Sequence, residues 1–343
     1  MLDDLKLIHE RDAQDALGVV EKQWQQLTHE FGVTFKPTAE IRNIVLGGMG
    51  GSGWPATYVQ SWPGVSVPFE ISNNYTVPRY VDGHTLFIAS SYSGNTEETL
   101  AALADAEARK AQIVVMTSGG KLKELAEQKG YPLYVLPTGT QPRMSSFYFI
   151  AAFLELFTPL GLVDTDAIKQ RQGISDWLKA QTASWRPDTP TAQNPAKQLA
   201  QELMGKTVIV YSGPLLAPVA QKIKICMNEN AKNLAWWNQY PEFNHNEFIG
   251  WSSHPVDKPF AVIEIRSNLE HERVQKRFEV TEKMLSGKRP SPHVIVPQGD
   301  TLPKQIFWAS VFGDFVSLYL ALLNGLNPTP VDLVEKFKQA LDA

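Results

Sequence analysis

The 343-residue sequence predicts an α/β fold with two domains in tandem, each a mostly parallel sheet flanked by helices. Three features predict it. Short apolar runs of strand length alternate with longer stretches of helical periodicity. That alternation stops at a polar, proline-rich stretch, Trp185-Arg186-Pro187-Asp188-Thr189-Pro190, and then begins again. Two of the early strands run straight into loops rich in glycine or in serine and threonine. A chain of this length matches about two domains at ~100–200 residues each.

The elements follow in order. Residues 3–30 read as a helix with Leu5, Ile8, Leu17, Val20 and Trp24 as its apolar stripe. A strand over 41–46 leads into Gly47-Gly48-Met49-Gly50-Gly51-Ser52-Gly53, then a helical stretch over 56–62 and a strand over 67–71. A strand over 86–89 precedes a hydroxyl-rich loop and a helix over 97–110. Next come a strand over 113–116, a helix over 121–129, a strand over 133–136 and a long apolar helix over 147–160. After a helix near 167–179, the second series gives strands over 207–211, 260–265 and 293–296 and helices over 216–232, 269–285 and 304–324. The order of elements in the two halves is similar, although their sequences are not, so a duplicated domain is the simplest reading. The expected division is an N-terminal helix over 1–35, a first domain over 36–160, a helical linker over 161–198 and a second domain over 199–343.

Bulk properties narrow the function. With 36 acidic against 32 basic residues, a net charge of −4 offers no case for nucleic acid or an anionic membrane. Cys226 is the sole cysteine, which excludes an internal disulfide and a cysteine-based zinc site. The acidic N-terminus lacks an apolar signal region, so a cytoplasmic location is expected. The apolar run 306–326 is long enough for a membrane span, but it carries Ser310, Gly313, Asp314, Ser317 and Asn324 and is expected to be a buried helix.

The loop Ser90-Ser91-Tyr92-Ser93-Gly94-Asn95-Thr96 lies between a strand and a helix start. Free N–H groups, the positive end of the helix dipole and several hydroxyls make such a loop an anion cradle. One hydroxyl would suit an ordinary cap; four around a glycine favour a phosphate. The earlier loop, Gly48-x-Gly50-x-x-Gly53, matches the dinucleotide fingerprint, with Glu70 placed as a ribose-binding carboxylate would be. A nicotinamide-dependent dehydrogenase is therefore a rival reading. A second anion cradle at the third strand, formed by Ser91, Ser93 and Thr96, weighs against it. The backbone of Gly50 and Gly51, with the Ser52 hydroxyl, suits a sugar equally well. A glycine turn that only lets strand and helix pack closely is the bland alternative.

Six motifs occur in one order: Gly48-Met49-Gly50-Gly51-Ser52-Gly53, Ser90 to Thr99, Pro142-Arg143, Asn228-Glu229-Asn230, Asn244-His245-Asn246 and Asn327-Pro328-Thr329-Pro330. From about residue 40 to the C-terminus the chain resembles the bifunctional phosphoglucose/phosphomannose isomerases, built from two sugar isomerase (SIS) domains of flavodoxin-like architecture. Segment 165–195 shows little to match, and Trp54 is bulkier than the family usually carries there. The resemblance implies a homodimer whose active sites are shared, with no metal and no cofactor. It implies reversible conversion of glucose 6-phosphate or mannose 6-phosphate to fructose 6-phosphate through a cis-enediolate.

That chemistry needs a phosphate anchor, a route to ring opening, a base that moves a proton between C2 and C1, and a cation for the enediolate. Ser91, Ser93 and Thr96 are the anchor. Glu229, on a helical face with Ile225 and Cys226, is the candidate base; a solvated helix-end glutamate is the alternative. Arg143 holds a charge that cannot be lost, although a surface cation near a helix start would look the same. The resemblance makes His245 the ring-opening group, reaching from the other subunit. It gives Lys336 ring opening or proton shuttling, and Thr329 a positioning role at C2. Seven residues separate Thr329 from Lys336, which would place both on one helical face. Without the chemistry, a non-catalytic SIS module that binds a sugar phosphate remains. An aminosugar synthase is disfavoured, because no N-terminal nucleophilic cysteine is present.

Overall fold

A computed structural model describes residues 1–252 and 259–341. They form two compact units, residues 22–177 and residues 1–21 with 178–343.

In the first unit five parallel strands, β1 Asn43–Gly48, β2 Phe69–Ser72, β3 Thr85–Ser90, β4 Gln112–Thr117 and β5 Leu133–Val135, pair in the order β2-β1-β3-β4-β5. The central strands β3 and β4 are wholly buried, as expected where helices cover both faces of a sheet. Val45, Phe87, Ala89 and Val115 pack on Ala102, Leu103, Leu122 and Ala126 of the helices Glu97–Ala108 and Gly120–Lys129. The helix Ser146–Phe157 lies on the helix Ala56–Ser61, and its Phe153 and Phe157 meet Phe69 of β2. Gln26 Nε2 donates to the Met144 carbonyl (2.8 Å), tying the 3-10 turn Gln23–Thr28 to this unit.

The second unit repeats the plan. Strands β6 Thr207–Ser212, β7 Ala235–Gln239, β8 Phe260–Ile265 and β9 His293–Ile295 are parallel in the order β7-β6-β8-β9. One face packs Tyr211, Tyr240, Phe243 and Val262 against Val274 and Phe278 of the helix Glu272–Met284. The other face carries the helices Ala217–Glu229, Pro195–Glu202 and Leu302–Leu323. Leu302–Leu323 is the helix expected from the apolar run, and it lies almost wholly buried within its unit. Its Asp314 is paired within the same unit. Lys222 Nζ donates to Asp314 Oδ2 (2.6 Å) and Cys226 Sγ to Asp314 Oδ1 (3.1 Å), all three buried. A buried charge of this kind needs such partners.

Several expectations are corrected. Residues 3–30 are not one helix but Leu5–Arg11, Ala16–Glu21 and the turn Gln23–Thr28. Asp12 breaks the run, its carboxylate accepting from Ala16 N–H (2.8 Å) and Leu17 N–H (2.9 Å) as a cap for the second piece. Strand β7 was not expected at all; its Ala-Trp-Trp-Asn-Gln sequence shows no alternation, and Trp236 lies exposed on the sheet edge. The helix expected over 216–232 ends at Glu229. The units also divide differently from 1–35, 36–160, 161–198 and 199–343, since the boundary falls inside the helix Ala167–Thr182. Buried Lys197 gathers the proline-rich stretch into the second unit, donating to Pro187 O (2.7 Å), Thr189 O (2.8 Å) and Asp3 (3.1 Å).

Candidate active site

In a sheet of order 2-1-3-4-5 the chain leaves β1 and β3 in opposite directions. The crevice beyond their C-terminal ends is the topological switch point where such folds bind ligands. Both loops singled out in the sequence start there.

The glycine loop is not open chain but a helical turn, Gly50–Gly53. Gly51 is required by close approach: a Cβ there would stand 2.9 Å from the Pro142 carbonyl carbon and the Arg143 nitrogen. The glycine turn is thereby packed directly on the Pro142–Met144 turn that carries Arg143. Ser52 ties it to the next loop. Its carbonyl accepts from Ser90 Oγ (2.7 Å), and its hydroxyl oxygen accepts from Tyr92 N–H (2.8 Å). The Ser52 hydroxyl, expected to hold a sugar, is therefore first a structural link, with its own proton available to a further acceptor.

In the hydroxyl loop the side chains divide by role. Ser90 and Thr99 face inward, Thr99 Oγ1 donating to the Ser90 carbonyl (3.4 Å). Ser91 Oγ accepts from Gly94 N–H (3.1 Å) and shares a hydrogen bond with Thr96 Oγ1 (2.8 Å). Ser93 is exposed, its hydroxyl accepting from Asn95 N–H (3.3 Å). Gly94 turns the chain at φ +71°, where a Cβ would overlap the Gly119 carbonyl. Asn95 Oδ1 accepts from Lys121 N–H (3.0 Å) and Ser118 Oγ donates to Tyr92 O (2.6 Å), which fixes the loop to its neighbour. Thr96 stands at the N-cap position of the helix Glu97–Ala108 without a side-chain capping bond, and the first N–H groups of that helix have no intrahelical acceptor. Ser91, Ser93 and Thr96 thus surround a helix N-terminus on a rigid frame. Glu97 and Glu98 in the first turn interact with the same dipole and temper its positive end.

Arg143 is 1% exposed, which removes the surface-cation alternative. Its Nη1 donates to Gln141 Oε1 (3.5 Å), and Ser145 Oγ donates back to the Gln141 carbonyl (3.3 Å). Trp54 follows the glycine turn directly. It is 4% exposed, with its ring edge-on to Tyr58 at 5.0 Å.

The second unit carries Glu229, His245, Thr329 and Lys336. Glu229 is the last residue of its helix and is half-buried. Its neighbours fix it on both sides: Asn228 Nδ2 donates to Asn233 O (2.9 Å) and Asn230 Nδ2 to Ser317 Oγ (2.9 Å). Thr329 N–H donates to Asn327 Oδ1 (3.0 Å) in a loop bound to this helix end. His245 is exposed, closing the turn Glu242–His245, and Lys336 is exposed on the helix Asp332–Leu341. The shared face expected for Thr329 and Lys336 is not formed, because that helix begins after Thr329. Among the described residues, no three His, Cys, Asp or Glu side chains converge as metal ligands would.

One residue went unnoticed in the sequence. At the second switch point, between the ends of β6 and β8, Glu270 Oε1 accepts from Leu215 N–H (2.9 Å). Burial pushes this carboxyl above its ordinary pKa. The copy that lacks a hydroxyl cradle places its own carboxylate on the loop N–H instead.

Residues 192–341 match the bacterial phospho-glucose isomerase C-terminal SIS domain. A bifunctional phosphoglucose/phosphomannose isomerase of Caldicellulosiruptor bescii is 34% identical over 308 residues, covering 88% of this chain and 90% of the relative. A D-glucosamine-6-phosphate 4-epimerase of Sulfolobus acidocaldarius is 33% identical over 303 residues, covering 88% and 89%. The crystal structure of a hypothetical protein from Thermus thermophilus superposes with a TM-score of 0.70 at 17% identity, covering 99% of this chain and 90% of that one, which bears on the fold alone. On the sequence identity and its extent, the chain belongs to the family of bifunctional phosphoglucose/phosphomannose isomerases.

Proposed function

We propose that the protein interconverts glucose 6-phosphate and mannose 6-phosphate with fructose 6-phosphate, through an enediolate. The observation that carries this is the hydroxyl cradle of Ser91, Ser93 and Thr96 at a helix start, beside the glycine turn and buried Arg143, in a chain of this family. The cradle takes the phosphate, and the backbone of Gly50 and Gly51 with Ser52 takes the sugar. His245 and Lys336 pass the O1 hydroxyl proton to the ring oxygen, which opens the ring. Glu229 then removes the C2 proton, and the electron pair forms the C1–C2 double bond as O1 becomes anionic. Arg143 stabilises that charge without supplying a competing proton. Glu229 returns its proton to C1 and the O2 proton passes to O1, so that O2 becomes the carbonyl oxygen of the ketose; Thr329 orients the C2 region. Glucose and mannose phosphates differ only at C2, so both pass through the same planar enediolate. The assembly we propose is a cytoplasmic homodimer in which His245 serves the site of the second copy.

The epimerase relative gives a second reading its support, a reaction at C4 of an amino sugar phosphate. Incubation with glucose 6-phosphate, mannose 6-phosphate and glucosamine 6-phosphate, separately and with EDTA present, tests both. Fructose 6-phosphate from the first two is expected. Its absence from both would overturn the isomerase reading, in favour of the epimerase if the amino sugar alone reacts, or of a binding module if none does.

A further inference from the structure

Two of the six motifs are physically joined by a residue that belongs to neither. The helix Ala217–Glu229 runs out through Asn230, and Asn233 N–H closes its end on the Met227 carbonyl (3.0 Å). Between them stands Lys232 at φ +51°. Glycine is the usual residue at such a helix-ending position, because a side chain is strained there. A lysine that accepts this conformation points to a use for its side chain.

That use is visible in its contacts. Lys232 Nζ donates to Asn230 O (3.3 Å), Asn327 O (2.9 Å) and Pro328 O (3.0 Å). An ammonium has three N–H donors, and three backbone carbonyls accept from this one. One acceptor lies directly after Glu229; the other two lie directly before Thr329. A cation is also favoured at the C-terminal end of a helix, where carbonyl dipoles converge. We infer that Lys232 is a positioning residue that clasps the Glu229 helix end to the Thr329 loop and holds the base in register with the group that orients C2. This rests on the isomerase reading for its kinetic consequence but not for the clasp itself.

The test uses the full-length protein and two variants. Lys232→Gly removes the side chain while suiting the backbone angle, so the fold is retained; Lys232→Arg keeps the charge and several donors. Two readouts are taken: steady-state turnover of fructose 6-phosphate, and amide hydrogen exchange in segments 226–233 and 326–331. Misplacement of a base by about 1 Å costs on the order of a hundredfold. Lys232→Gly is therefore expected to lower kcat about 10- to 100-fold, with KM within about threefold. Exchange should rise in both segments together, and Lys232→Arg should restore kcat to within about threefold. Unchanged kcat in Lys232→Gly, a rise in KM that matches the fall in kcat/KM, or exchange that changes in one segment only, would overturn the inference. Wild-type protein without turnover would overturn the functional reading alone, and the paired exchange would still decide whether the clasp exists.

Discussion

Removal of the Ser91 hydroxyl tests the phosphate cradle most sharply. Ser91 is 1% exposed, and its Oγ is fixed by Gly94 N–H at 3.1 Å and Thr96 Oγ1 at 2.8 Å. With Thr96 as donor of the shared hydrogen bond, the single Ser91 proton is left for a phosphate oxygen, at a set position rather than on a mobile surface rotamer. A hydrogen bond to a charged partner contributes about 1.5–3 kcal/mol. At about 1.36 kcal/mol per factor of ten, Ser91→Ala should raise KM for the sugar phosphate about 10- to 150-fold. The phosphate is held equally in ground and transition states, so kcat should stay within about threefold. Inhibition by inorganic phosphate should weaken by a similar factor in the same assay. Ser90→Ala is the control. Ser90 Oγ donates to the buried Ser52 carbonyl, so its loss should cost about 1–3 kcal/mol of stability in a urea melt while leaving KM in place. Unchanged KM in Ser91→Ala, or a change equal to that of Ser90→Ala, would refute the assignment of this loop as the anchor.

Other outcomes follow from the buried charges. Asp314→Ala leaves Lys222 charged and buried, and should lose about 3–5 kcal/mol in denaturant unfolding. The double change Lys222→Met with Asp314→Leu should recover most of that loss in the same measurement. Burial raises the pKa of Glu270, so the folded state holds this proton more tightly than the unfolded state does. Its contribution to stability is fully present below the ordinary value of 4.5 and falls as pH rises through the raised one. Glu270→Gln should thus gain stability relative to wild type between pH 4 and pH 7, and a pH-independent difference would contradict this.

The parallel sheets were legible because their central strands are buried on both faces and read as continuous apolar runs, as in Leu86-Phe87-Ile88-Ala89 and Ile113-Val114-Val115-Met116. Edge strand β7 was not, because only its first residue is fully buried and its tryptophans follow no period. The break at Asp12 was hidden by an apolar stripe that continues past it; only the capping hydrogen bonds show that this aspartate ends one helix and starts another. At the site, residue type and loop position singled out Ser91, Thr96 and Arg143 as candidates. They did not show that Ser52 spends its carbonyl and hydroxyl oxygen on joining two loops, since both bonds span about forty residues. Glu270 and Lys232 escaped for the same reason. Their meaning lies in which backbone groups they reach, and no local pattern encodes that.

The central claim is proton transfer between C1 and C2 of a sugar phosphate, and the most direct measurement is incubation of fructose 6-phosphate with the protein in D2O. The mechanism predicts deuterium at C2 of the aldose phosphates formed and at C1 of the remaining ketose, with Glu229→Gln binding fructose 6-phosphate but incorporating little label. Aldose formed without label would contradict exchange through an enediolate at a base open to solvent, and full labelling by Glu229→Gln would remove Glu229 as that base.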